Sequence, residues 1–125
     1  MIQSFRDLTV WQKGVVLAVR VCTTTESFPR SQLYGLTSQM QRASVSIPSN
    51  VAEGKAVGGR AYLRHIRIAL GSEAELQTQI EIAVRLKLVA QGDAQKLLAE
   101  TSEVGRMLSA LLRALRRRAP NDESA

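Results

Sequence analysis

The chain has 125 residues, with 17 Lys and Arg against 11 Asp and Glu for a net charge of +6, and only 4% of its side chains are aromatic. A single cysteine, Cys22, and a single histidine, His65, exclude an internal disulfide and a soft-metal centre built from the usual ligands. No run of about 18 apolar residues suits a membrane span, and Arg6, Asp7, Lys13 and Arg20 interrupt the first apolar segment where a cleavable signal would need none, so a cytoplasmic protein is expected.

At this length one hydrophobic core is enough, and a single domain over 1–118 with a disordered tail over 119–125 is predicted. Residues 8–24 place Leu8, Trp11, Val15, Ala18, Val19 and Cys22 at helical spacing, the expected core stripe of a first helix. Val10, Gly14, Leu17 and Val21 form a second apolar stripe roughly 120° away, more than one bundle core requires. Phe28-Pro29 ends this unit, because proline disfavours helix at the residue before it, and Ser31 is placed to cap the next helix.

Residues 32–55 carry Leu33, Leu36, Met40, Ala43, Ile47, Val51 and Gly54 at spacings of three and four, the seam of a second bundle helix. Pro48 removes the donor for the Ser44 carbonyl and predicts a kink, with Ser46 or Ser49 near enough to satisfy freed groups. Beside the seam runs a polar stripe of Gln39, Arg42, Ser46, Ser49, Asn50 and Glu53. It reads as a solvated face, as a hydrogen-bonded layer against a neighbouring helix, or as a reactive site. Gly54, Gly58 and Gly59 predict a linker over 54–60. Lys55 after glycine is not a phosphate loop, since Ala56 replaces the Ser or Thr and no strand precedes it; a plain connector and a basic phosphate cradle both stay open.

A third helix over 60–88 has Tyr62, Leu63, Ile66, Leu70, Ile80 and Val84 on one side and Ile68, Leu76, Ala83 and Leu86 on another. Arg60, Arg64 and Arg67 fall within about 60° of one another with no acid between them, either a solvated face or a set of phosphate contacts. Glu75 and Gln79, one turn apart, are expected in a partly buried polar network with Arg42 as partner. Gln91-Gly92-Asp93 separates the third helix from a fourth, whose seam is Leu97, Thr101, Val104, Leu108, Leu111 or Leu112, and Leu115. Arg113, Arg116, Arg117 and Arg118 crowd its last turns, where the helix dipole alone favours cations. Four such helices with short connections predict an all-α, antiparallel up-and-down four-helix bundle.

The run Phe5-Arg6-Asp7-Leu8-Thr9-Val10-Trp11-Gln12-Lys13, then Tyr34-Gly35-Leu36, then Gln41-Arg42-Ala43-Ser44-Val45-Ser46-Ile47-Pro48-Ser49-Asn50-Val51-Ala52-Glu53-Gly54, resembles the 23S rRNA-intervening sequence protein family, as do Ala69-Leu70-Gly71-Ser72, Glu75-Leu76 and Gly105-Arg106-Met107-Leu108. Glu73 departs from the pattern, which more often has an apolar residue there. The resemblance implies a bacterial four-helix bundle assembled as a ring-like homopentamer. It also implies kinship with the accessory variability determinant of diversity-generating retroelements, a basic pentamer that engages RNA and a reverse transcriptase.

With no nucleophile-base pair and no metal cluster evident, no catalytic residue, metal or cofactor is expected. The expected function is that of a non-enzymatic homo-oligomer that contacts RNA or DNA through Arg60, Arg64, Arg67, Arg113, Arg116, Arg117 and Arg118. Few aromatic side chains mean that phosphate contact dominates over base stacking. Ser46, Asn50, Glu53, Glu75, Gln79 and Arg42 are expected in a polar network or interface. The rival is an adaptor whose basic surface recruits an acidic protein such as a reverse transcriptase.

Overall fold

The computed structural model describes residues 4–118; the tail expected over 119–125 lies outside the described residues. Four α-helices follow one another, α1 Thr9–Thr25, α2 Ser38–Val57, α3 Gly59–Arg85 and α4 Gln91–Arg118, with no strand among the described residues. A single turn, Phe5–Asp7, precedes α1. The Ser4 hydroxyl accepts from the Arg6 amide at 3.0 Å and the Asp7 carboxylate accepts from the Ser4 amide at 3.3 Å, a reciprocal cap.

Cross-helix contacts fix the topology. Gly14 lies against Ile47 and Pro48, and the Gln41 amide donates to the Thr25 hydroxyl at 3.0 Å, so α2 runs against α1. Asn50 meets His65 and Ser46 meets Ser72, so α3 runs against α2. Lys13 pairs with Glu103 and Arg20 with Glu100, which closes the bundle by setting α4 antiparallel to α1. The arrangement is the predicted up-and-down bundle.

The core of α1 is not the stripe expected from sequence. Val10, Gly14, Leu17, Val21 and Thr25 are buried, while Val15, Ala18 and Cys22 are only half-buried and Val19 is 59% exposed. Gly14 decides the matter: a Cβ there would stand 3.3 Å from Pro48 Cβ, so the side of α1 without a side chain is the side that approaches α2 most closely. Leu8 and Trp11 still pack against the rim of the core, and the Phe5 ring stacks at a tilt on Trp11 with centroids 5.3 Å apart.

α2 is continuous through Pro48, whose ring is buried against α1. The irregularity lies earlier, in a wide turn over Leu33–Thr37 where Gly35 takes φ −111° and ψ −111°. That turn throws Leu33 out of the seam to 44% exposure, so the seam starts at Leu36 and runs through Met40, Ala43, Ile47, Val51 and Gly54, all buried. Ser31 caps nothing; it sits inside a short turn, Arg30–Gln32, that begins after Pro29.

The linker predicted over 54–60 shrinks to one residue. α2 reaches Val57 and α3 starts at Gly59, with Gly58 at φ 78° and Gly59 at φ 57°, both in the left-handed region that glycine alone enters freely. Gly54 stays inside the helix for a different reason. A Cβ there would lie 2.9 Å from Tyr62 Cδ1 and 3.0 Å from His65 Cβ, so its bare backbone lets α2 and α3 touch.

α3 stops three residues short of its predicted end. Lys87 is in the left-handed region at φ 60°, the Leu88 amide donates to the Ala83 carbonyl and the Lys87 amide to the Val84 carbonyl, each at 2.9 Å. This is the backbone pattern of a helix-terminating reversal. Of the second stripe predicted on α3, Leu76 and Ala83 belong to the core and Ile68 and Leu86 face solvent. The α4 seam is Leu97, Thr101, Val104, Leu108, Leu112 and Leu115, with Leu112 and not Leu111 completing it. No helix of the described residues is long and apolar enough to cross a membrane.

Candidate nucleic-acid interface

Antiparallel packing sets the first turns of α3 beside the last turns of α4. Arg60 and Arg64 are exposed and Arg67 half-buried on α3, while Arg113, Arg116, Arg117 and Arg118 are exposed on α4. Arg118 lies close enough to Tyr62 for its charge to act on the tyrosine hydroxyl. Two arginine groups far apart in sequence therefore share one end of the bundle. Lys55, in the last turn of α2, adds a cation to the same end.

The two groups differ in what the helices themselves require. Arg116, Arg117 and Arg118 sit where the α4 dipole is negative and favours them. Arg60 lies in the first turn of α3, at the positive end of the dipole, a position the dipole does not favour for a cation. Beneath these side chains Tyr62 is buried, and burial pushes its hydroxyl above the ordinary tyrosine range while Arg118 pulls the other way.

Two cations elsewhere are engaged across a helix seam. Lys13 and Arg20 pair across the α1–α4 seam with Glu103 and Glu100, and the Lys13 hydrogen bond holds the Glu103 carboxyl below its usual range. Arg60, Arg64, Arg116, Arg117 and Arg118 thus gather where α3 begins and α4 ends.

The polar stripe of α2 divides. Asn50 Nδ2 donates to the Ser46 carbonyl at 2.8 Å and to its hydroxyl at 3.0 Å, and Ser72 Oγ donates to Ser46 Oγ at 2.9 Å. Because the Asn50 amide nitrogen is the donor, its Oδ1 must accept from His65 Nδ1, 2.8 Å away, which fixes the proton on that ring nitrogen. Glu53 Oε2 stands 3.6 Å from the same nitrogen at the exposed edge. Ser46, Asn50 and Glu53 are thus brought together with His65 and Ser72 in a layer that ties α2 to α3.

Arg42, Glu75 and Gln79 do not join it. Arg42 and Glu75 are exposed and Gln79 is buried with its Oε1 lacking a partner among the described residues, so the expected pairing of Arg42 with Glu75 and Gln79 does not form. Gln39 and Ser49 face solvent. Neither periodicity nor spacing assigns His65 or Ser72 to this layer; the antiparallel register that sets Gly54 against Tyr62 is the signal that places them opposite Asn50 and Ser46.

Several clefts mark the surface. Trp11, Val15, Ala18, Val19, Val45 and Ala52 line an apolar groove of about 510 Å³ between α1 and α2. A second cleft of about 430 Å³ opens between α3 and α4 at Glu73. Among the described residues no three His, Cys, Asp or Glu side chains are grouped to hold a metal ion.

The fold is similar to the crystal structure of a protein of unknown function from the S23 ribosomal protein family of Bacteroides thetaiotaomicron, with a TM-score of 0.77 over 83% of this chain and 95% of that one. The two sequences are 20% identical, a level at which the likeness carries the fold alone. No curated protein matches the chain. The model of the 23S rRNA-intervening sequence protein family matches residues 6–110, which takes in all of α1, α2 and α3 and most of α4, and the chain belongs to that family.

Proposed function

We propose that this protein is a non-enzymatic, homo-oligomeric nucleic-acid-binding protein that grips phosphates with Arg60, Arg64, Arg67, Arg113, Arg116, Arg117 and Arg118. The observation that carries the reading is the meeting of two arginine groups, distant in sequence, at one end of the bundle. Assembly into a ring, which family membership suggests, multiplies a modest patch by avidity. The apolar outer face of α1 gives copies of the chain a surface to cover.

Fluorescence anisotropy with structured RNA and with duplex DNA over a salt series tests the reading. Binding at low ionic strength is expected to weaken steeply as salt rises, and replacing Arg60, Arg64 and Arg67 by alanine lowers the log-log slope by up to about 3 per engaged subunit. A flat salt response, or no binding at low salt, rejects it. Because Tyr62 is buried, the arginine end has no aromatic platform among these side chains, and an acidic protein such as a reverse transcriptase is a second reading of the same charge. Partners that stay bound through nuclease treatment favour that adaptor role; partners lost with the nucleic acid favour direct binding.

A further inference from the structure

Glu73 is the one carboxylate of α3 that faces inward. It is 7% exposed, at the seam with α4, and it belongs to no ion pair among the described residues. Its Oε2 accepts from the Gln77 side-chain amide. Oε1 receives no hydrogen bond from the described residues. Oε1 is not among the side-chain atoms shut off from solvent, so a donor that enters the cleft can reach it.

The surroundings are shaped around this group. On α4, Gly105 leaves the room it needs: a Cβ there would come within 2.7 to 2.9 Å of the carboxyl carbon and both oxygens. The carboxylate lines a cleft of about 430 Å³, within the size range of small-molecule sites. Arg106, Arg113, Ser102 and Ser109 stand around it, both arginines exposed.

We propose that this cleft takes a guanine base of a single-stranded nucleic acid, with Glu73 accepting from the guanine N1–H and its exocyclic amino group and the rim arginines meeting the flanking phosphates. The proposal rests on the nucleic-acid reading above and adds a base preference to it. The choice of base follows from donor geometry. Only guanine sets two donors side by side on its Watson–Crick edge; adenine and cytosine set a donor beside an acceptor, and uracil sets one N–H between two carbonyls, so each of these turns a lone pair toward the carboxylate. A duplex hides that edge, which is why the ligand is an unpaired base. A guanidinium from a protein partner offers the same pair of donors. Arg106 and Arg113 repel such a cation and attract phosphate, and this favours the nucleotide.

The experiment compares three short single-stranded RNAs of equal length at one low salt concentration: oligoadenylate, the same strand with isolated guanosines, and the same strand with inosine at those positions. Anisotropy is expected to give roughly tenfold tighter binding for the guanosine strand than for oligoadenylate, with inosine, which lacks the amino group, between them. Glu73→Gln is expected to erase the preference without weakening the oligoadenylate. Glu73→Leu serves as a second variant that removes the acceptors and leaves an apolar group at the seam, its helicity checked by circular dichroism. Equal affinities in the unaltered protein, or a guanosine preference that survives both substitutions, overturn the assignment while leaving the phosphate reading in place. No binding of any strand overturns both. Competition by a blocked arginine amide as effective as that by guanosine monophosphate overturns it in favour of a protein guanidinium.

Discussion

Tyr62 joins the arginine end to the core. Its ring lies against the bare backbone of Gly54 and its hydroxyl is pushed above the ordinary range by burial, which Arg118 only partly offsets. A pKa raised on folding means that the folded state holds the phenol proton more tightly than the unfolded chain does. The stability this contributes is complete below the unfolded value of about 10 and is lost as pH climbs through the higher folded value. Tyr62→Phe removes the titration, so the variant should lose less stability than the unaltered protein between neutral pH and about pH 11. Urea midpoints at the two pH values measure the difference. Equal alkaline losses in both proteins mean that the hydroxyl is not desolvated. Nothing in the sequence sets Tyr62 apart from the other apolar positions of α3, because its environment is made by Gly54 on another helix and by Arg118 at the far end of the chain.

Helices were legible as units, but their faces were not equally so. The spacing in α4 marks the buried Leu97, Thr101, Val104, Leu108 and Leu115, and leaves only the choice between Leu111 and Leu112 to the structure. α1 is apolar on two sides, and periodicity alone treats both alike. Bulk favours the side with Trp11 and Val15 as core, and the side with Gly14, Leu17 and Val21 is the core in fact. Close approach of α1 to α2 at Pro48 overrides bulk, since a small residue admits the neighbouring helix where a large one would hold it away. The same cause turned the glycines over 54–60 from a linker into a contact and a one-residue turn. The polar stripe of α2 shows the limit from the other direction: its residues were visible, but the partners that give Asn50 and Ser46 their bonds lie on α3 and become evident only with the register. Alanine at two neighbouring positions of α1 separates its faces. Leu17→Ala, at 1% exposure, should cost about 2 to 4 kcal/mol in urea unfolding. Val19→Ala, at 59%, should cost less than about 0.5 kcal/mol when the subunit is measured under dissociating, dilute conditions. Similar losses at both positions restore the stripe first expected as the core.

At the scale of the whole molecule, the apolar groove between α1 and α2 lies apart from the end where α3 begins and α4 ends, and that makes the proposed assembly testable by one substitution. Cations concentrate where α3 starts and α4 ends, whereas Val16, Val19 and Val45 are exposed along α1 and α2. A monomer leaves those side chains in water; the proposed ring would cover them and repeat the arginine patch. Val19→Glu places a charge on the groove between α1 and α2 without entering the core, so helicity and urea midpoint should stay close to those of the unaltered subunit. Sedimentation should then show a lighter species. If the arginines act together, loss of assembly also removes the intramolecular advantage of the second and later contacts, and apparent affinity for RNA falls by about 100-fold or more, far beyond what one added negative charge per chain causes. A variant that dissociates yet binds RNA as before would show that each subunit grips alone and that multivalency has no part in the function. An unaltered protein that sediments as a single subunit at micromolar concentration would remove the assembly itself, and the outer face of α1 would then need a different occupant.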